Sequence, residues 1–137
     1  MGEVKEKITL VNTMDAGYAY GGYIKETEIR QLIVDAVVDT GAMSLVIDEK
    51  TCARLGLAIE SDSEAVLAGG DRKPGKITKP VTIRWNDRFT TNHALVLPGT
   101  EEILLGVIPL EDMDLKVNPV DRCLEGVHGD RWVRYVR

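Results

Sequence analysis

Short apolar runs separated by turn-forming residues dominate this chain. Ile8 and Leu10, with Thr9 and Val11 between and after them, predict an opening strand, and Leu32 to Val38, nearly continuous from Val34, predicts a buried strand bounded by a turn. Between them, Gly17-Tyr18-Ala19-Tyr20-Gly21-Gly22 is too rich in glycine for a helix interior and reads as a loop, and the polar Lys25 to Gln31 leads into the second strand. Ser44 to Ile47 is strand-like. Asp48 is placed to cap a short helix running to Leu55, with Gly56 as its stop. Val81 to Trp85 and Thr90 to Leu97 flank Asn86-Asp87-Arg88 as a hairpin with alternating strands. Pro109 suits the first turn of a second helix over Leu110 to Asp114, because its missing N–H would have had no partner there, and Val117-Asn118-Pro119 ends that helix. Trp132 to Val136 alternates again, as a terminal strand in need of a partner. Many short strands, two short helices and no strand–helix–strand rhythm predict an all-β barrel.

Composition narrows the picture further. A chain of 137 residues suits one domain spanning 1–137. The formal charge of -5 comes from acidic and basic residues that are interspersed, so nothing tracks a phosphate backbone and nucleic acid is not an expected partner. The start has no apolar core of a leader, and no stretch approaches the roughly 18 apolar residues of a membrane span; the expectation is a cytoplasmic protein without membrane contact. Cys52 and Cys123 lack any close cysteine partner and read as free thiols. His93 and His128 have no ligands at metal spacing, so neither a metal nor another cofactor is expected.

The candidate chemistry lies in Val38-Asp39-Thr40-Gly41-Ala42, which places one carboxylate on a tight turn leaving a strand. Gly41 permits backbone N–H groups to approach that carboxylate where a β-carbon would crowd them. Downstream stands a second apolar element, Ile103-Leu104-Leu105-Gly106. Together these segments resemble the retroviral-type aspartic proteases and their small bacterial relatives, over roughly residues 32 to 120. The resemblance implies a closed barrel of the acid-protease type with one or two short helices. It implies Asp39 as the catalytic residue, Thr40 locking two facing loops together, Ala42 where pepsin-like loops carry serine, and Leu104, Leu105 and Gly106 crossing beneath the loop. It further implies a flap around Glu64 to Ile77 that closes over peptide, with Gly69, Gly70 and Asp71 at its tip. Only one Asp-Thr-Gly is present and no internal duplicate supplies another, so an active site needs a second chain, and the implied species is a homodimeric endopeptidase acting on peptide or protein substrates.

Other readings compete at the same residues. An Asp-Thr-Gly can be an ordinary turn in a structural barrel, and the same fold can serve as a non-catalytic dimeric module that binds a peptide or protein. Asp35, four residues before Asp39, reads as a solvated strand residue rather than half of an intrachain dyad. Gly70 to Ile77 nearly spells a phosphate-binding loop, but Ile77 stands where Ser or Thr would hold magnesium, and Pro80 and Val81 follow instead of a helix. A Ser44 or Cys52 nucleophile with either histidine has no supporting local motif. His128-Gly129-Asp130 reads as a turn in the tail.

Overall fold

The computed structural model describes residues 3–136. Strand β1 (Lys5–Asn12) runs antiparallel to β2 (Gln31–Val38), with Leu10 opposite Leu32 on one side and opposite Ile83 of β6 (Val81–Trp85) on the other. Ile8, Leu10 and Ile83 are fully or nearly fully buried, which makes this ladder the floor of the core. The run in β2 is not buried on both faces: Ala36 lies in the core, whereas Ile33 is 74% exposed, so the strand alternates as a sheet with one wet face does. β3 (Leu45–Ile47) pairs parallel with β8 (Ala94–Val96) and antiparallel with β9 (Ile103–Leu105). β9 in turn lies parallel to β2. With the hairpins β4 (Ile59–Val66)–β5 (Arg72–Thr78) and β6–β7 (Arg88–Asn92), the nine strands follow the order β4-β5-β8-β3-β9-β2-β1-β6-β7.

That order has two free ends, β4 and β7, so the closed barrel expected from the sequence is not seen among the described residues; the fold is a mostly β sheet with a few short helices. Helix α2 (Glu49–Arg54) forms where expected, with the Asp48 carboxylate accepting from the Thr51 N–H at 3.3 Å and Gly56 at φ +61° beyond its end. Helix α3 (Val107–Asp112) begins earlier than predicted, with Gly106 as its N-cap and Pro109 in its first turn. It stops at Asp114, which adopts φ +56°, and Leu115–Asn118 is then not a helix end but strand β10, paired with β11 (Cys123–Gly126).

Three expectations need correction. The glycine-rich segment is partly helical: α1 covers Thr13–Tyr20 because Asn12 caps it, accepting from the Asp15 N–H at 3.1 Å, and because Asp15 ties the far end of the excursion to Arg30. Its carboxylate takes the Arg30 Nε and Nη2 hydrogens at 2.8 and 2.9 Å, and those bonds hold the Asp15 carboxyl below the usual range. The predicted strand Thr90 to Leu97 is two strands, because the chain leaves β6 at His93 and crosses to β3 and β5. The tail Trp132 to Val136 forms no ladder among the described residues. It is held by side chains instead: Trp132 meets Phe89 edge-on at 5.5 Å, and Asp114 accepts from the Val133 N–H at 3.2 Å.

Candidate active site

Asp39 stands one residue past the end of β2, where the parallel partner β9 dictates its position. Its N–H donates to the Leu105 carbonyl at 3.0 Å, which extends the β2–β9 ladder by one bond before the chain turns. The turn closes when the Ala42 N–H donates to the Asp39 carbonyl at 3.1 Å. The half-buried Asp39 carboxylate accepts the Gly41 N–H at 2.8 Å, and the space that a β-carbon on Gly41 would take begins 3.1 Å from the same oxygen. Aspartate followed two residues later by glycine is therefore a local device that aims a backbone donor at a carboxylate.

Gly106 fastens this loop from below. A β-carbon there would fall 2.5 Å from the Ser44 carbonyl oxygen and 2.6 Å from that of Ala42. The backbone just after it makes the same contact productive: the Val107 N–H donates to the Ala42 carbonyl at 2.9 Å, and the Ile108 N–H to that of Met43 at 2.8 Å. Leu105 is fully buried and Leu104 partly so. The structure thus brings Asp39, Thr40, Gly41 and Ala42 onto one turn and seats that turn on Leu104, Leu105 and Gly106. Thr40 is exposed and accepts or donates no side-chain hydrogen bond among the described residues.

Gly69, Gly70 and Asp71 lie apart from that turn, at the tip of the β4–β5 hairpin. The Gly70 N–H donates to the Leu67 carbonyl at 2.8 Å, the Leu67 N–H to that of Asp71 at 2.8 Å, and Gly70 takes φ +90°, a conformation that glycine adopts without strain. No hydrogen bond joins this tip to the Asp39 loop among the described residues. Four charged residues of the hairpin share one face as cross-strand pairs, Lys76 with Asp62 at 2.8 Å and Arg72 with Glu64 at 3.2 Å, and Lys79 pairs with Glu60 at its base. Hydrogen bonding to these lysines holds the Asp62 and Glu60 carboxyls below the usual range.

The competing groups go elsewhere. Asp35 is exposed and pairs with Lys7 at 3.0 Å. His93 Nδ1 lies 2.7 Å from the Thr78 carbonyl oxygen, and His128 Nδ1 2.7 Å from the Asp114 carboxylate, so neither ring is bonded to Ser44 or Cys52. Both cysteines are free, and burial pushes the Cys52 thiol up. His128-Gly129-Asp130 is a turn, closed by the Arg131 N–H on the His128 carbonyl at 3.3 Å. Among the described residues no three His, Cys, Asp or Glu side chains gather as metal ligands would, and no helix is long and apolar enough to cross a membrane.

Arg88, read from the sequence as part of the hairpin turn, instead opens β7 and is buried. It is 3% exposed and donates to the carbonyls of Met113, Asp114 and Gly129, each at 2.8 Å, which pins α3 and the tail to the β6–β7 hairpin. Its position just after Asn86-Asp87 suggests a solvated hairpin tip, and no local signal marks it as buried.

Residues 26–112 match the family model described as "gag-polyprotein putative aspartyl protease". Among solved structures, the EIAV protease complexed with the inhibitor HBY-793 superimposes with a TM-score of 0.62 at 18% identity, over 85% of this chain and 93% of that one. The retroviral protease-like domain of Ddi1 from Leishmania major superimposes with a TM-score of 0.50 at 19% identity, over 68% of this chain and 78% of that one. No curated protein matches in sequence.

Proposed function

We propose that this chain, which belongs to the gag-polyprotein aspartyl protease family, is an aspartic endopeptidase that acts as a homodimer, with the Asp39 carboxyls of two copies forming one catalytic pair. The observation that carries this reading is the Asp39 turn itself: a half-buried carboxylate receiving the Gly41 N–H at 2.8 Å and anchored through the Leu105 carbonyl. Such a carboxylate is placed and oriented, yet one alone cannot both take and give a proton. Two carboxyls about 3 Å apart cannot both ionise, so they share one proton. The ionised member draws a proton from water as its oxygen attacks the peptide carbonyl carbon, and the protonated member gives its proton to the carbonyl oxygen. Collapse of that gem-diol breaks the C–N bond: the amine leaves with the proton held by the pair, a hydroxyl of the diol returns its proton to the other carboxylate as the product carboxyl forms, and the pair again shares one proton. The pair, rather than either residue, then sets the pH dependence.

In this reading all of residues 1–137 form one retropepsin-like domain, Thr40 and Ala42 meet the opposite loop, and the β4–β5 hairpin, with Gly69, Gly70 and Asp71 at its tip, covers an extended peptide. Affinity with small bacterial members of the family, a barrel completed around the cleft and a cytoplasmic setting belong to the same proposal. Asp39→Asn keeps the size of the side chain and removes its ionisation. The expected result is that wild type and variant both sediment at twice the 15.1 kDa chain mass, while the variant cleaves no peptide from a denatured-protein digest. Wild-type cleavage by Asp39→Asn, or full activity from a strict monomer, sinks the shared pair. A dimer that binds peptides without cleaving them supports the binding module instead.

A further inference from the structure

The β4–β5 hairpin has two chemically different faces. Asp62, Glu64, Val66, Arg72 and Lys76 are exposed, and their charges are used up in the cross-strand pairs Lys76–Asp62 and Arg72–Glu64. The opposite face carries Ser63, Ala65, Gly75 and Ile77, all half-buried or buried, and among these small and apolar residues stands Lys73, directly across from Ala65. Gly75 shows which way this face turns: a β-carbon there would fall 2.9 Å from Leu95 Cδ1, on the body of the sheet.

Lys73 is half-buried, and among the described residues no carboxylate lies within ion-pair distance of its ammonium, in contrast to Arg72, Lys76 and Lys79 on the same hairpin. Its side chain crosses to the turn after β8. There the place of a β-carbon on Gly99 would be 3.0 Å from Lys73 Nζ and 4.0 Å from Cε, so the glycine, at φ +83°, leaves the room that the ammonium occupies. Glu101, two residues further on, does not reach it. This turn leads directly into β9, whose Leu105 carbonyl holds Asp39. A lysine ammonium with no carboxylate at ion-pair distance is free to pair with one, and a charge-assisted hydrogen bond to a carboxylate is stronger than a neutral one.

We propose that Lys73 is a specificity-determining residue that recognises a carboxylate side chain of the bound peptide, making segments that contain Asp or Glu the preferred class. The inference rests on the reading of the hairpin as the cover of a peptide cleft, but not on hydrolysis. Its test therefore measures binding on the Asp39→Asn protein as well as cleavage by the wild type. The probes are a degenerate decapeptide library and its counterpart in which Asn and Gln replace every Asp and Glu. The expected result is binding of the acidic library about tenfold tighter at low salt, as a single partly exposed charge-assisted contact gives, with the ratio shrinking at high salt. Lys73→Met should bring the two libraries level while binding the neutral one as before, and Lys73→Arg should keep most of the preference. In wild-type cleavage the same ratio should appear in KM rather than in kcat. Equal binding of the two libraries, or a ratio that survives Lys73→Met, overturns the proposal. A preference that persists in binding while the wild type cleaves neither library upholds Lys73 and refutes the endopeptidase.

Discussion

Gly106→Ala should damage this protein far more than the addition of one methyl suggests. Gly106 has φ -93° and ψ -173°, which any residue adopts, so backbone conformation is not the obstacle. The obstacle is space. The new carbon would lie 2.5 Å from the Ser44 oxygen, 2.6 Å from the Ala42 oxygen and 2.8 Å from the Ala42 carbonyl carbon, all backbone atoms that no rotamer change can move. Ala42 is also tied on both sides, its N–H to the Asp39 carbonyl and its carbonyl to the Val107 N–H. Relief requires the turn to lift from β9, which strains packing at a cost of about 1–3 kcal/mol and weakens one or two hydrogen bonds worth about 1 kcal/mol each. We expect a loss of about 3 kcal/mol, which at a urea slope of about 1.5 kcal/mol/M lowers the unfolding midpoint by about 2 M. Peptide cleavage should fall further, by about a hundredfold or more in kcat/KM, because a displacement of roughly 1 Å at the reacting group has that effect. Gly41→Ala is the internal comparison: it meets one carboxylate oxygen at 3.1 Å on the exposed side of the turn and should cost less stability. Urea unfolding followed by tryptophan fluorescence, with amide chemical shifts for Asp39 to Ser44, decides the matter. A Gly106→Ala protein with the wild-type midpoint and unshifted loop amides would show that the seat is softer than argued.

Gly17→Ala should raise stability by about 0.5–1 kcal/mol, since Gly17 lies inside α1 with open space where its β-carbon would be; an unchanged or lower thermal midpoint contradicts this. Asp35→Asn should leave cleavage unchanged and alter stability by no more than a few tenths of a kcal/mol, because its ion pair with Lys7 is exposed; a tenfold loss of activity would tie Asp35 to the chemistry. Asp114 is held below its ordinary range first by the His128 hydrogen bond, so its stabilising effect is complete above the usual carboxylate pKa and is lost as pH falls through the lowered folded value. Asp114→Asn should accordingly be less stable than wild type at neutral pH, with the difference narrowing in acid; urea midpoints that differ equally at both ends of a titration from neutral pH into acid refute this.

How much of this was legible in the sequence depended on how local each determinant is. The Asp39 turn needs only the carboxylate at one position and glycine two further on, and its bond from Gly41 spans two residues, so the motif carried its own geometry. Asp48 capping α2 was legible for the same reason. Glycine count misled at α1, where the helix is set by Asn12 at its start and by an Asp15–Arg30 pair fifteen residues apart, which outweigh the entropic cost of Gly17. Asn12, a favoured N-cap residue just before the helix, was a visible start signal that the glycines obscured. The tail failed differently. Its alternation is real, but Trp132 and Tyr135 reach Phe89 and His128 with their side chains and the Val133 N–H reaches the Asp114 carboxylate, rather than forming a ladder, and a one-dimensional pattern cannot distinguish such anchoring from strand pairing.

The same distinction separates what one chain holds by itself from what the proposed pair would take from a second. Among the described residues, the Asp39 loop is held by bonds to Leu105, Val107 and Ile108 and by the Gly41 and Ala42 N–H groups on Asp39 itself. The tail, expected to seek a partner strand, is instead fixed within the chain by Asp114 and Phe89. Assembly through the tail would therefore have to break contacts already satisfied, whereas assembly through the exposed Thr40 and Met43 beside Asp39 would not. On the proposed reading the loop is already complete as a scaffold, and a second copy facing it would supply the other carboxyl of the pair.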